Sequence, residues 1–462
     1  MQLSQLYKRH FGAEPTSEQP LTPAGSARRY YRLAAEDGSH SVVGCIGTDL
    51  AENRAFISLT ADFVKAGLPV PEVLEVSDDG REYLVSDFGD TALFGLLDRE
   101  DLLEKAILML RRFHTSGTTA VDRSHFYNFT EFDSSGAMLD LHYFKYNYLN
   151  VAGIAYDEHR LEQSLRRLAA SADDFGRTEG GLMLRDFQSR NVMIKDDEPY
   201  LIDYQGARMG PLAYDLASFL YQARASFSES QRKRLVKIYA DAAGTDFAGL
   251  YSRVRTMALL RALQTLGAYG LRGLVQGKGH FVKSIPAALD NLPLLLDSPY
   301  ADGYLRELLT AVAADRRLCP AESKTHEGML TVRIMSFSFK QGIPADPGGN
   351  GGGFVFDCRA MDNPGRYESL RRYTGLDLPV RKFLEEKGEM QEFLRACWLL
   401  TDRSVENYLE RRFTDLFVAF GCTGGRHRSV YAAQQTASHL KKLFPELRIL
   451  LQHRAQQIYT EL

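Results

Sequence analysis

The chain has 462 residues, too long for one ordinary domain, and its 44% apolar and 25% charged content is that of a soluble globular protein. No apolar run approaches membrane-spanning length, which argues against a membrane partner, and the start, Met1 to Phe11, reads as an amphipathic helix rather than a signal peptide, so cytoplasmic residence is the expectation. The five cysteines, Cys45, Cys319, Cys358, Cys397 and Cys422, are odd in number and lack paired metal spacing, which predicts free thiols. The net charge of −3 hides an asymmetry: residues 329–462 carry +4 and the remainder −7. A basic C-terminal part raises the question of an anionic ligand.

Residues 1–95 read as a small strand-rich lobe. A small-residue turn, Thr22-Pro23-Ala24-Gly25-Ser26-Ala27, precedes an alternating strand from Arg28 to Leu33, with His40 to Ile46 as its hairpin partner. A helix is predicted from Arg54 to Ala66, and Tyr83 to Gly89 forms a strand and hinge. Residues 96–315 are mostly helical, with apolar positions at three- and four-residue steps over Leu102–Thr115, Glu158–Ser171, Ser228–Ala242, Tyr251–Tyr269 and Tyr304–Arg317. Tyr143, Tyr146, Asn147 and Tyr148 suit helix-face packing better than stacking on a sugar. His114 and His142 have no partner at metal spacing and read as structural.

The stretch Leu182 to Gly206 carries the chemistry. Two short strands, Asn191–Ile194 and Tyr200–Ile202, are turned back by Asp196-Asp197-Glu198-Pro199, which brings Asp186, Asn191 and Asp203 together. A carboxylate, a carboxamide five residues on and a second carboxylate after the hairpin are what phosphoryl transfer from a nucleotide needs. Asp186 is then the base, and Asn191 and Asp203 hold magnesium on the phosphates. In this reading the turn at Gly25 and Ser26 lies over ATP with Arg28 and Arg29 meeting its charge, and Ser86 and Asp87 sit by the adenine. Asp87-Phe88-Gly89 imitates a metal-binding tripeptide but precedes the catalytic loop, so it is a decoy. Asp215, after Gly210-Pro211, is expected to brace the loop from behind. Val42 to Ile46 lacks the usual phosphate-pairing lysine, and no Gly-x-x-x-x-Gly-Lys-Ser/Thr loop is present. Two alternatives stand beside this reading: a hairpin with surface acids, and a kinase-like scaffold that binds nucleotide without turnover.

The spacing resembles that of the aminoglycoside phosphotransferase and choline kinase group. Leu184-Arg185-Asp186-Phe187-Gln188-Ser189-Arg190-Asn191, Ile202-Asp203-Tyr204-Gln205-Gly206-Ala207 and Gly210-Pro211-Leu212-Ala213-Tyr214-Asp215 most resemble the anomeric kinases of N-acetylmuramate and N-acetylglucosamine. The resemblance implies an α+β two-lobed protein-kinase-like fold and an amino sugar phosphorylated at its anomeric hydroxyl, with an aminoglycoside as the alternative acceptor. Leu184 stands where many relatives carry His, and the missing strand lysine is shared with the anomeric kinases.

A linker is expected over 316–328, and residues 329–462 form a separate α/β domain opening with a strand from Leu330 to Phe339. A glycine-rich loop fills 344–353. Between a strand at Asp415–Gly421 and a helix at Ser429–Leu443 lies Cys422-Thr423-Gly424-Gly425-Arg426-His427-Arg428, a phosphate cradle in type. Cys422 and Arg428, with five residues between them, also have the spacing of a thiol phosphatase loop; no His precedes Cys422 and no general acid is assignable, which favours binding over hydrolysis. Ser336 to Pro344, Phe354 to Arg359, Asn363-Pro364, Thr374 to Asp377 and Gly421 to Ser429 closely resemble the C-terminal domain of the RNase adaptor RapZ. That resemblance implies glucosamine-6-phosphate binding by Thr423, Gly424, Gly425, Arg426, His427, Arg428 and Ser429, with Lys340, Arg359, Asp357 and Arg454 along the pocket. Gln341 departs from an aromatic or His in relatives. The family also implies an RNA or protein partner, which a charge of +4 leaves open.

Overall fold

A computed structural model describes residues 3–21, 28–37, 40–319, 329–346, 353–386 and 388–462. The chain divides into two compact units, one of residues 1–271 with 284–318, the other of 272–283 with 319–462.

The first unit opens with helix α1 (Leu3–Phe11) and a five-stranded antiparallel sheet of β1 (Ser17–Pro20), β2 (Arg29–Ala34), β3 (Val42–Ile46), β4 (Val73–Val76) and β5 (Glu82–Ser86), in the order β1-β2-β3-β5-β4. The apolar stripe of α1, Leu3, Leu6 and Tyr7, packs on Leu33, Val42 and Leu84 of the sheet. The polar strand β1, which alternation did not reveal, is held at the edge by its pairing with β2 from Ser17↔Ala34 to Pro20↔Tyr31. Helix α2 (Leu50–Lys65) begins earlier than its apolar rhythm suggests, because Asp49 caps it through the backbone N–H groups of Ala51 and Glu52.

The helical lobe follows. Helices at Glu100–Arg112, Glu158–Glu179, Glu229–Ala243, Phe247–Tyr269 and Gly303–Ala314 stand where periodicity placed them. Ser228 and Gln231 close a capping box on the third of these. The aromatic run is helix packing: Tyr148 is buried and stacked on Phe144, whereas Tyr146 faces outward beside Lys145. Inside the lobe, β6 (Gly180–Met183) pairs with β9 (Arg208–Pro211), and β7 (Val192–Lys195) with β8 (Glu198–Leu201). The second pair turns tightly on Asp196 and Asp197, both at positive φ (52° and 57°). That is the left-handed geometry of a two-residue hairpin, so Pro199, expected in the turn, lies in β8 opposite Ile194.

The second unit is built on a sheet of β10 (Thr331–Ser338), β11 (Phe354–Asp357), β12 (Asp415–Cys422), β13 (Arg448–His453) and β14 (Ile458–Glu461) in the order β11-β12-β10-β13-β14. The first four strands run parallel and β14 antiparallel. Val332, Ile334, Val418 and Phe420 pack with Ala433, Ala437 and Leu440 of the helix Arg428–Leu443 in one core. Of the expected linker, 320–328 lie outside the described residues, as do 347–352 of the glycine loop.

Candidate active site and anion pocket

The hairpin delivers its three polar side chains to one place. Asn191 Nδ2 donates to the Asp186 carbonyl at 2.9 Å and approaches Asp203 Oδ2 at 3.4 Å, and Asn191 Oδ1 accepts no hydrogen bond among the described residues. Arg185 (φ 66°) and Asp203 (φ 63°) are both left-handed, a strained conformation for non-glycine residues that persists only where the surroundings impose it. The imposing group at Arg185 is Asp215, whose carboxylate is fully buried and accepts the backbone N–H of Leu184 at 2.7 Å and of Arg185 at 2.8 Å. His114 Nε2 lies 3.0 Å from the same carboxylate, and its Nδ1 is 2.6 Å from the Tyr239 hydroxyl. The expected brace is therefore present, and His114, read only as structural, is part of it.

Asp186 is not alone. Arg261 Nη2 donates to Asp186 Oδ1 at 2.6 Å, and Oδ2 lies toward Gly206, where a Cβ would come to 4.0 Å. Burial alone would raise the carboxyl's pKa, but Arg261 and Arg185 outweigh it and hold the group below its ordinary value. Arg185 in turn pairs with Asp140 at 2.9 Å. Arg261 was not foreseen, since its partner is 75 residues away in sequence. The available signal was a cation inside Met257-Ala258-Leu259-Leu260-Arg261-Ala262-Leu263, a stretch too apolar to leave an arginine unpaired.

The nucleotide-side expectations fare differently. Gly25 and Ser26 lie outside the described residues. Arg28 is buried and ion-pairs with Glu52 at 2.8 Å, so it is tied to α2 rather than presented openly, while Arg29, next along the strand, is exposed. Gln205 Nε2 donates to Asp203 Oδ1 at 2.9 Å and reaches Glu52 at 3.4 Å, linking the same glutamate to the Asp203 loop. The Ser86 and Asp87 side chains are not directed at a base. Ser86 Oγ accepts from Glu72 N, and Asp87 is occupied by Arg32 at 2.7 Å and Ser41 at 2.6 Å. β5 is paired on both sides, with β3 and β4, and Asp87 of Asp87-Phe88-Gly89 is engaged by Arg32 and Ser41 rather than held toward Asn191 and Asp203. Among the described residues no group of three or more His, Cys, Asp or Glu side chains stands at metal-ligand range. The oxygens of Asn191 and Asp203 suit a hard cation that keeps the rest of its shell from water and phosphate, as magnesium does.

In the second unit, residues just past the carboxyl ends of β11 and β12 line a cavity of about 360 Å³ whose lining includes Arg359, Asn363, Arg366, Thr423 and Arg428 together with the acids Asp362 and Glu389. Parallel sheets place ligands at such ends. Arg428 is buried, donates to the carbonyls of Arg359 at 2.9 Å and Met361 at 2.7 Å, and keeps an enclosed Nε with no partner. Arg366 and Asn363 were not foreseen. Lys340 and Arg426 do not line the cavity: Lys340 is exposed beyond Ser338, and Arg426 reaches the Arg372 carbonyl at 3.4 Å. His427 and Ser429 also sit outside the lining; the His427 ring lies against Gly365, and the Ser429 hydroxyl faces Cys422 Sγ at 3.1 Å. Gly424 and Gly425 belong to the same loop, where a Cβ on Gly425 (φ 67°) would meet Ser338 at 3.1 Å. Burial raises the Cys422 pKa, but Ser429, the backbone N–H groups of Ser429 and Gly425, and Arg428 bring it below its ordinary value. The thiol is 3% exposed within the apolar core, so no phosphoester reaches it, and binding rather than hydrolysis fits the loop. None of the five cysteines forms a disulfide among the described residues.

A braced left-handed catalytic loop, an amide and acid pair after it and a strand-built lobe over it define a kinase-like phosphotransferase. A model of the phosphotransferase enzyme family matches residues 19–255, and the chain belongs to that family; a model of the RapZ C-terminal domain matches residues 330–457. A nucleotide-binding protein of Methylobacillus flagellatus is 39% identical over 128 residues, 28% of this chain and 43% of that protein. One of Thermotoga neapolitana is 39% identical over 115 residues, 25% of this chain and 39% of that protein. The chain thus spans less than half the length of these relatives. Among solved structures, a choline/ethanolamine kinase family protein of Mesorhizobium loti has a TM-score of 0.44 at 18% identity, covering 65% of this chain and 93% of its own. The ADP-bound aminoglycoside phosphotransferase APH(2'')-Ib has a TM-score of 0.44 at 13% identity, covering 58% and 90%. No helix among the described residues is long and apolar enough to cross a membrane.

Proposed function

We propose that the chain is an ATP- and magnesium-dependent kinase of an amino sugar of the N-acetylmuramate or N-acetylglucosamine type, acting at the anomeric hydroxyl, with a C-terminal domain that binds a hexosamine phosphate as a sensor. The observation that carries the first part is the meeting of Asp186, Asn191 and Asp203. Asn191 and Asp203 would hold magnesium, which when bound neutralises the phosphate charge. Asp186 takes the proton of the acceptor hydroxyl on Oδ2 while Arg261 fixes Oδ1. A carboxylate held below its ordinary pKa is a weak base, which suits a hemiacetal hydroxyl, more acidic than an ordinary alcohol. The test is ATP consumption across N-acetylglucosamine, N-acetylmuramate, glucosamine and kanamycin, with phosphorus NMR on the product. Sugar-dependent ADP release with an anomeric phosphate signal is expected; ATP binding without turnover on any of them would replace the kinase with a nucleotide-binding regulator.

The sensor half is supported by the cavity beside Arg428 and its unpartnered Nε. Calorimetry on the full chain is expected to detect glucosamine-6-phosphate, with Arg428→Ala weakening it at least about tenfold and Thr423→Val weakening it less. Equal affinity in all three proteins would remove the ligand from this cavity. Titrating the same sugar phosphate against the kinase rate tests the regulatory link, which a flat response would abolish.

A further inference from the structure

A buried cation near the base is unused by the mechanism. Arg208, the first residue of β9, is 7% exposed, yet it forms no ion pair among the described residues. Its side chain makes one hydrogen bond, from Nε to the Gly206 carbonyl at 3.2 Å, and its guanidinium lies 5.4 Å from the centre of the Phe129 ring. The Gly206 that it bonds lies against Asp186, whose Oδ2 would be 4.0 Å from a Cβ there, and this puts Arg208 near the catalytic carboxylate. Both aspartates already have arginines, Arg185 on Asp140 and Arg261 on Asp186. Arg208 has no carboxylate of its own within ion-pair distance among the described residues. Burial and the like charge of Arg185 push its pKa down to about 10, so it still carries its proton at neutral pH.

A buried guanidinium without a counter-ion is costly, and its planar fork is built to receive two oxygens. Neither Nη atom makes a hydrogen bond among the described residues and neither is fully enclosed, so both are free to meet a ligand oxygen. An unpaired guanidinium also disfavours a cationic acceptor group beside it. We propose that Arg208 is a specificity-determining residue that receives a carboxylate of the acceptor molecule, selecting anionic over neutral and cationic acceptors. The inference rests on the kinase reading for its acceptor, and it adds the charge that the acceptor carries. The other anion that reaches this region is the phosphoryl group in transfer, and the experiment separates the two.

Initial rates of the full chain are measured with ATP against N-acetylmuramate, whose lactyl group carries the carboxylate, and against its methyl ester. A KM at least about tenfold lower for the acid is expected, with Arg208→Gln erasing the difference by raising KM for the acid alone, Arg208→Lys restoring part of it, and KM for ATP unchanged. Equal KM for acid and ester in the unaltered chain would overturn the proposal. So would an Arg208→Gln variant that loses kcat equally on both, which assigns Arg208 to the transferring phosphate. Phosphorylation of neither compound leaves the kinase reading to the wider acceptor panel, and calorimetry of acid and ester with a non-hydrolysable ATP analogue still decides the anion site: tighter binding of the acid supports it, and equal or absent binding overturns it. The comparison within the unaltered chain does not depend on any variant folding.

Discussion

Asp186→Asn is expected to lower sugar-dependent turnover by about 10²- to 10⁴-fold while leaving ATP affinity intact, measured as ADP release and as equilibrium binding of an ATP analogue. The change keeps the shape of the side chain and one oxygen for Arg261 but removes the proton acceptor. The sign of the pH dependence follows from the same group. Its pKa lies below the ordinary 3.8, so the base is fully ionised throughout the neutral range. Asp186 therefore contributes no acid limb to kcat/KM above about pH 4, and the rate it supports falls only as the pH drops through that lowered value. An acid limb near pH 6 that vanished in the Asn variant would contradict the assigned ionisation.

Asp215→Ala is expected to damage both stability and rate. The carboxylate is fully buried and receives Leu184 N, Arg185 N and His114, so its removal strands two backbone donors and an imidazole. Loss of charge-assisted bonds at a buried position costs about 3 kcal/mol, read as a lower urea midpoint at unchanged slope. The larger effect is on chemistry, because Arg185 holds its left-handed backbone only while Asp215 grips it, and Asp186 is the next residue. A kcat loss of at least about a hundredfold with little change in KM for ATP is expected. Asp215→Asn, which keeps an acceptor oxygen, should recover part of both. A variant with a normal urea midpoint and normal kcat would remove Asp215 from its bracing role.

The catalytic hairpin was legible because its information is local: apolar strands, a polar turn and acids at fixed offsets, all between Leu182 and Gly206. The helices were legible for the same reason, by period alone. What escaped is what the fold brings from a distance. Arg261 meets Asp186 from the helix Phe247–Tyr269, Arg185 meets Asp140 across 45 residues, and Glu52 meets Gln205 across 153. No spacing rule joins such positions, although an arginine within an apolar helix is a standing demand for a counter-ion. The polar strand β1 escaped because an edge strand held by one neighbour needs no alternation. In the second unit the loop Cys422–Arg428 was visible as a strand-to-helix junction, but Asn363-Pro364 was read only as part of a resemblance, and nothing in the spacing tied Asn363 or Arg366 to the cavity.

Tyr204 follows Asp203, and its ring is sandwiched into helix α2. It stacks on Phe56 with ring centres 5.2 Å apart, meets Phe63 edge-on at 5.2 Å, and its hydroxyl lies 2.6 Å from that of Thr60. With the Gln205–Glu52 contact, the helix of the small lobe and the loop bearing Asp203 are geared together over three turns of α2. Any outward swing of α2 would have to pull this buried tyrosine out of its socket and drag Asp203 with it, so the seating of the helix and the position of Asp203 change together.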